Sequence, residues 1–180
     1  QFLAGSAASV AAISQARLSG DDSNANPDSW ALLSDTHLLS ESSITRHYAR
    51  NKAAMDKRAG VVAENFGRAA RQVHSLTVKP AGLILNGDCV HVGGMEEYGI
   101  LAEKFGLIKE LPIHVTMGNH DHRSDFAGAF DQQTKRGKRV LLENRHVSVL
   151  NSRHANFVLL DSLTMENPDK PVKGPGILGP

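Results

Sequence analysis

The sequence LPIHVTMGNHDH at residues 111–122 decides the fold, because an apolar run ends here in a glycine and a cluster of polar groups. A run of this length that stops at Gly118 predicts a buried strand entering a tight turn, since glycine adopts the required backbone angles without steric cost. Asn119, His120 and Asp121 then lie at the carboxyl end of that strand. Such side chains bind metals or transfer protons, so we expect the chemistry here.

Two earlier stretches have the same arrangement. WALL at residues 30–33 runs into SDTH, and LIL at residues 83–85 runs into NGD. Because helix-length segments separate the three runs, they predict an α/β fold with parallel strands, in which ligands bind beyond the carboxyl ends of the strands. One crevice would then collect the metal-capable side chains Asp35, His37, Asp88, Asn119 and His120.

Length and composition fit one folded domain. The 180 residues are 41% hydrophobic and 22% charged, which is the balance of an ordinary globular protein. A net charge of +1 gives no broad attraction to nucleic acid or to an acidic membrane. Cys89 is the only cysteine, so no disulfide can form within the chain, and we expect its side chain to be a small buried hydrophobe.

The first residues are typical of an export signal. Residues 2–16 are small, apolar and uncharged, and they end in the small-x-small pattern Ser14-x-Ala16 that precedes a cleavage site. The run is too short for a membrane span, which needs about 20 apolar residues. A surface helix is the alternative.

These features predict an export signal at residues 1–18, a polar linker at 19–29 and a domain over 30–180. The protein is therefore expected in the periplasm or outside the cell. The start at Gln1 and the glycine- and proline-rich stretch at residues 174–180 suggest that the domain is the amino-terminal part of a longer one.

Apolar spacing predicts the remaining elements. A helical repeat over residues 49–77 indicates a crossing helix that Pro80 ends. Its inward positions are Val62, Phe66, Ala69, Val73 and Leu76. A second helix at residues 96–105 turns Tyr98, Leu101 and Phe105 inward. Further elements are a strand at 81–86, a short helix at 124–132, and two strands at 146–150 and 155–161 that pair directly.

The residue types at the first two strand ends suit a metal centre. Asp35 and His37 are two apart, so on an extended segment they project from the same face and could hold one ion. Asp88 follows a glycine and is placed to give one carboxylate oxygen to each of two ions about 3.5–4 Å apart.

The third strand end supplies a ligand and an acid. Asn119 offers a neutral amide oxygen to a metal. His120 points in a different direction and is therefore available as a general acid, with Asp121 able to fix its tautomer.

In this order, Asp35-x-His37, Gly87-Asp88 and Gly118-Asn119-His120-Asp121 resemble the first three motifs of the calcineurin-like metallophosphoesterase superfamily. The resemblance covers about residues 30–165. It implies an αββα sandwich with a central, mostly parallel sheet, and two metal ions chosen from manganese, iron, zinc and cobalt. The implied activity is hydrolysis of small phosphoric esters by metal-bound hydroxide, with His120 as general acid.

Two shorter stretches resemble one branch of this superfamily. LLDS at residues 159–162 and the Gly-x-Leu at residues 176–178 are similar to the branch that contains cyclic-nucleotide and glycerophosphodiester phosphodiesterases. This resemblance favours phosphodiesters over monoesters as substrates.

The sequence also departs from the family pattern. The family's remaining ligands are three histidines, two of them in a Gly-His-x-His motif, and that motif does not occur here. His146 and His154 precede the expected region and are interpreted as structural. His91 stands where purple acid phosphatases place a tyrosine, which argues against a tyrosinate-bound ferric ion, and we interpret His91 as a loop residue rather than a ligand.

Other functions have weaker support. His120-x-His122 is similar to the metallo-β-lactamase zinc motif, but Ser124 stands where the aspartate belongs. No phosphate-binding Gly-Lys-Ser/Thr loop and no basic run with aromatic residues occurs, so nothing supports nucleotide switching or nucleic-acid binding. The remaining alternative is a non-enzymatic relative that uses the fold for binding. Such a relative would lose its proton donor or bridging carboxylate, whereas His120 and Asp88 are both present.

Overall fold

A parallel sheet forms the centre of the fold. In the computed structural model, which describes residues 25–134 and 145–163, its strands are β1 (Ala25–Leu33), β2 (Lys79–Asn86) and β3 (Ile113–Thr116). They lie in the order β1-β2-β3, and both pairs are parallel. All three strands therefore end at the same edge.

Helices follow each strand of this sheet, and those between β1, β2 and β3 make the crossovers that parallel pairing requires. They are α1 (Glu41–His47), α2 (Lys52–Ser75), α3 (Met95–Phe105) and α4 (Arg123–Thr134). Short 3-10 turns occur at Ala49–Asn51 and Gly106–Ile108. Tyr98, Leu101 and Phe105 are buried on α3, which confirms the predicted inward face of that helix.

The sheet is covered on both faces. Side chains of β2 alternate between these faces, so the strand contributes to the packing on each. Leu83 and Leu85 pack into a core with the inward residues of α2, α3 and α4, whereas Ile84 packs on the opposite face. That face is covered by an antiparallel hairpin of β4 (Val147–Asn151) and β5 (Asn156–Leu160), which confirms the predicted pairing. The mixed α/β fold class is therefore confirmed.

The first strand begins earlier than predicted. It starts at Ala25, inside the segment predicted to be a linker, and its register with β2 shifts between Asn26 and Trp30. Over this interval β1 bulges, and the Asn26 side chain accepts a hydrogen bond from the Asp28 N–H. The turn-forming residues at 26–28 thus form an irregularity within a strand rather than a linker.

The region of α1 and α2 also differs from the prediction. The short helix α1 was not predicted, although Ser40 caps it by accepting from the Ser43 N–H. Helix α2 ends at Ser75, and Leu76 is 44% exposed rather than inward, because the β-branched pair at 77–78 favours extended backbone. Pro80 does not end the helix; it lies within β2.

Some predicted features lie outside the described residues. These are the export signal at residues 1–18, the branch-like stretch at 176–178 and the glycine- and proline-rich stretch at 174–180. Of the residues that the structure does describe, none belongs to a helix long and apolar enough to span a membrane.

Candidate metal centre

The loops after β1 and β2 are bonded to each other at the shared sheet edge. The Asp35 N–H donates to the Gly87 carbonyl at 3.1 Å, and the His37 N–H donates to the Asp88 carbonyl at 2.9 Å. The Thr36 hydroxyl donates to the Cys89 carbonyl at 2.7 Å. These bonds fix the position of the Asp35–His37 segment relative to Asp88.

Glycine lets the third loop approach the second. A Cβ atom on Gly118 would lie 2.2 Å from Asp88 Oδ1 and 2.3 Å from Asp88 N, distances that no side chain tolerates. Gly87 adopts a φ of +74°, in the left-handed region that favours glycine. The two glycines therefore bring the ends of β2 and β3 into contact.

Three candidate ligands have strained backbones. Asp35, His37 and Asp88 adopt φ values of 55°, 43° and 47°, and they are the only non-glycine residues with positive φ in the described part of the chain. The expectation of an extended Asp35-x-His37 segment is therefore wrong; its side chains converge because the loop is bonded to the β2 loop. Such a conformation costs about 1–3 kcal/mol per residue and concentrates at functional sites.

The same three side chains form a set of metal donors. One ligand atom from each of Asp35, His37 and Asp88 lies within 4.8 Å of the others. His37 Nε2 is 3.7 Å from Asp88 Oδ2 and 4.0 Å from Asp35 Oδ1. Burial, and then the neighbouring His120, lowers the pKa of His37, which favours the neutral imidazole that metals bind. Two carboxylates and an imidazole fit a divalent transition ion.

Asn119 joins this group at a cavity. A cavity of about 440 Å³ is lined by Asp35, Asp88 and Asn119, and residues of β5 form another part of its wall. This volume is in the usual range for small-molecule sites. The predicted ligands Asp35, His37, Asp88 and Asn119 thus lie at one sheet edge beside a space for a substrate.

His120 lies against both Asp88 and His37, with its ring centroid 4.6 Å from that of His37. Its backbone N–H donates to Asp88 Oδ1 at 2.9 Å, and its ring Nδ1 lies 2.7 Å from the His91 carbonyl oxygen. Because a carbonyl only accepts, Nδ1 carries the proton in this arrangement. His120 Nε2 is then the ring atom left for chemistry.

The predicted role of Asp121 is wrong. Its carboxylate accepts from the N–H groups of Gly118, Cys89 and Val90 at 2.8–3.3 Å and from the Tyr98 hydroxyl at 3.1 Å. These groups occupy both oxygens, so the His91 carbonyl rather than Asp121 orients the His120 ring. Asp121 instead ties the β2 and β3 loops together, and burial raises its pKa to about 6.

His91 is closer to the site than the sequence suggested. It is 8% exposed, and one nitrogen from each of His37, His91 and His120 lies within 4.8 Å of the others. In the sequence, the position of His91 three residues after Asp88, in the same turn, is the signal that could have indicated this. His146 contacts Phe126, and His154 pairs with Asp28. Within the described residues, neither histidine belongs to a metal-capable group.

Cys89 lies beneath the site as a structural residue. It is fully buried, and burial raises the pKa of its thiol well above the usual value, so the thiol stays protonated. Its Sγ–H donates to the Thr116 carbonyl at 3.4 Å. The prediction of a small buried hydrophobe is confirmed.

Comparison with known proteins agrees with this geometry. The family model described as calcineurin-like phosphoesterase matches residues 30–168, which is most of the chain and includes every strand end described above. No curated protein matches the chain. The chain belongs to the calcineurin-like phosphoesterase family, whose members are metal-dependent hydrolases of phosphoric esters.

Proposed function

We propose that the protein hydrolyses small phosphodiesters at a dinuclear metal centre held by Asp35, His37, Asp88 and Asn119. The observation that carries this proposal is the convergence of two carboxylates and an imidazole beside an open cavity. Bound ions would neutralise the phosphate oxygens and lower the pKa of the attacking water.

Asp88 has the central position in this proposal. Its Oδ2 faces His37 Nε2, whereas its Oδ1 faces the His120 N–H, so its two oxygens point to different parts of the site. That orientation suits a carboxylate shared between two ions. Asn119 adds an oxygen ligand without a further negative charge, which limits repulsion between the ligands.

His120 is proposed to protonate the leaving group. As the bond between phosphorus and the leaving oxygen breaks, that oxygen would take the proton from His120 Nε2. The His91 carbonyl holds the Nδ1–H of the ring and stabilises the protonated form as well as the neutral one. General acids of this kind contribute about 10²–10⁴ in rate.

The preference for diesters is supported by the stretch at the end of β5. This LLDS stretch is the one that resembles the phosphodiesterase branch. Leu159, Leu160 and Ser162 line the same cavity as Asp35 and Asp88. A substrate with two ester groups would extend from the metal ligands toward these residues.

Turnover of two aryl substrates tests the reaction. Protein stripped of metal and reloaded with manganese should hydrolyse bis(p-nitrophenyl) phosphate faster than p-nitrophenyl phosphate, and chelation should abolish both activities. Asp88→Asn should lose both metal and activity. Tight diester binding without turnover, with any of the four metals, would instead support the non-enzymatic alternative.

Leaving-group dependence tests His120. His120→Ala should keep its metal by elemental analysis yet lose about 10²–10⁴ in kcat on a diester with an alkyl leaving group. The loss should be much smaller with p-nitrophenoxide, which leaves without a proton. Equal losses on both substrates would remove His120 from the acid role.

A further inference from the structure

The two ring nitrogens of His37 face different groups. Nε2 faces the carboxylates of Asp35 and Asp88, whereas Nδ1 lies 3.3 Å from Nδ1 of His91. A metal bound among the carboxylates would take the lone pair of Nε2, so the proton of the neutral ring would be on Nδ1. That Nδ1–H then needs an acceptor, because ligating histidines almost always donate their second ring N–H.

The ring of His91 is held where it can serve as that acceptor. It stacks on the ring of His120, with centroids 5.0 Å apart and planes 23° apart, and the ring of Tyr48 lies 5.8 Å away. The His91 backbone N–H donates to the Leu38 carbonyl at 2.9 Å. Packing and backbone together keep Nδ1 of His91 directed at His37.

We propose that His91 is a positioning residue, whose Nδ1 accepts the Nδ1–H of His37 and so directs His37 Nε2 toward the metal. This inference rests on the metal centre of the proposed function. It makes one residue orient two others, since the carbonyl of His91 holds His120 and its ring holds His37. His91 then carries its own proton on Nε2.

Direct ligation by His91 is the competing arrangement. Two imidazole nitrogens on one tetrahedral zinc ion lie about 3.3 Å apart, at Zn–N bonds of about 2.0–2.1 Å, so the distance alone does not distinguish the two roles. The carboxylates decide between them. If the metal were bound by both Nδ1 atoms, His37 Nε2 would not bind it, although this atom lies 3.7 Å from Asp88 Oδ2. The two carboxylates would then have no imidazole nitrogen to share a metal with.

Nuclear magnetic resonance of the protein loaded with cadmium-113 and labelled with nitrogen-15 histidine tests the inference. Scalar coupling to cadmium should appear at His37 Nε2 and at neither nitrogen of His91, and His91 should show the Nε2–H tautomer. Coupling at a His91 nitrogen would overturn the positioning role while leaving the metal centre in place. Absence of any bound cadmium would overturn the metal centre, and this inference with it.

Metal affinity gives an independent measurement. His91→Leu removes the acceptor and should weaken manganese binding about 10- to 100-fold without changing the stoichiometry. In His91→Asn, Oδ1 is as many bonds from Cα as the lost Nδ1, so this variant should keep most of the affinity. Tyr48→Leu is the matched control, because it loses ring packing on His91 but keeps the acceptor, and should weaken manganese binding much less than His91→Leu. Equal weakening in His91→Asn and His91→Leu would contradict the acceptor role.

Discussion

At the scale of single residues, the site depends on a side chain that is missing. Gly118 lets the loop after β3 lie directly on Asp88, and a Cβ there would overlap both the carboxylate and the backbone nitrogen of Asp88. Neither group can move easily, since the backbone of Asp88 is already in a strained region and its carboxylate is a candidate ligand. The contact between the two loops therefore requires glycine.

Gly118→Ala should destabilise the protein by about 1–3 kcal/mol, the usual cost of overpacking, and should abolish metal binding. Gly60→Ala is the matched control, because it lies in α2 with nothing within 4 Å of its Cβ. It should stabilise the protein by about 0.5–1 kcal/mol. Urea unfolding and metal titration measure both; a Gly118→Ala protein that binds metal normally would contradict the close approach.

Asp121 gives a pH dependence with a defined sign. Burial raises its folded pKa to about 6, above the unfolded value of about 3.9. A raised pKa means that its contribution to stability is full below the unfolded pKa and is lost as the pH rises toward 6. From pH 4 to pH 7 the metal-free wild type should therefore lose up to about 3 kcal/mol relative to Asp121→Asn. Urea unfolding in chelator across this range tests it; a constant difference between the two proteins would contradict it.

At the scale of secondary structure, one ion pair fastens the hairpin to α4. Arg123 at the start of α4 donates through Nε and Nη2 to both oxygens of Asp161, at 2.6 and 2.9 Å. Asp161 follows β5 directly, and its side chain is fully buried. Burial would raise its pKa, but the bonds from Arg123 and from the Leu163 and His146 N–H groups outweigh this, so the pKa is lowered.

Asp161→Asn should destabilise the protein by about 3–5 kcal/mol, because it leaves Arg123 partly buried without its counter-charge. Arg153→Ala is the control: its pair with Asp28, at 3.9 Å, is exposed and is worth less than about 1 kcal/mol. Since the folded pKa of Asp161 is lowered, its contribution is present above about pH 4 and disappears as the pH falls further. Thermal unfolding of Asp161→Asn and Arg153→Ala measures the difference in their stabilities. Similar melting temperatures for the two variants would contradict the predicted loss.

At the scale of the whole molecule, the packing of the layers leaves the candidate metal centre at the carboxyl edge of the sheet. Helices cover one face of the sheet and the hairpin covers the other, so the loops after the three strands are left at the carboxyl edge. Loops carried by a packed scaffold hold functional groups in place while their sequence is free to vary.

Export remains a prediction at this scale. In the native cell the mature protein should lie outside the cytoplasm and begin near Arg17, because residues 2–16 have the composition of a signal and a small-x-small end. Cell fractionation followed by amino-terminal sequencing measures this. Cytoplasmic protein that retains residues 2–16 intact would show that no signal operates.

Local sequence was sufficient for the framework. The three apolar runs that stop at polar residues predicted the parallel strands, and the apolar repeat at 96–105 predicted the buried face of α3. These features depend on periodicity and on turn residues, which act over a few neighbours. The same signals indicated that Asp35, His37, Asp88, Asn119 and His120 share one edge.

Only the tertiary structure decided how those side chains are oriented. The positive φ of Asp35 and His37, the burial of Asp121 against the Cys89 and Val90 amides, and the His91 carbonyl on His120 all depend on bonds between loops about 30 or more residues apart. Periodicity predicts where a strand ends, but the direction of a loop side chain is fixed by the partners that the fold brings to it. That is why the sequence placed Asp121 beside His120, while the folded chain gives that place to His91.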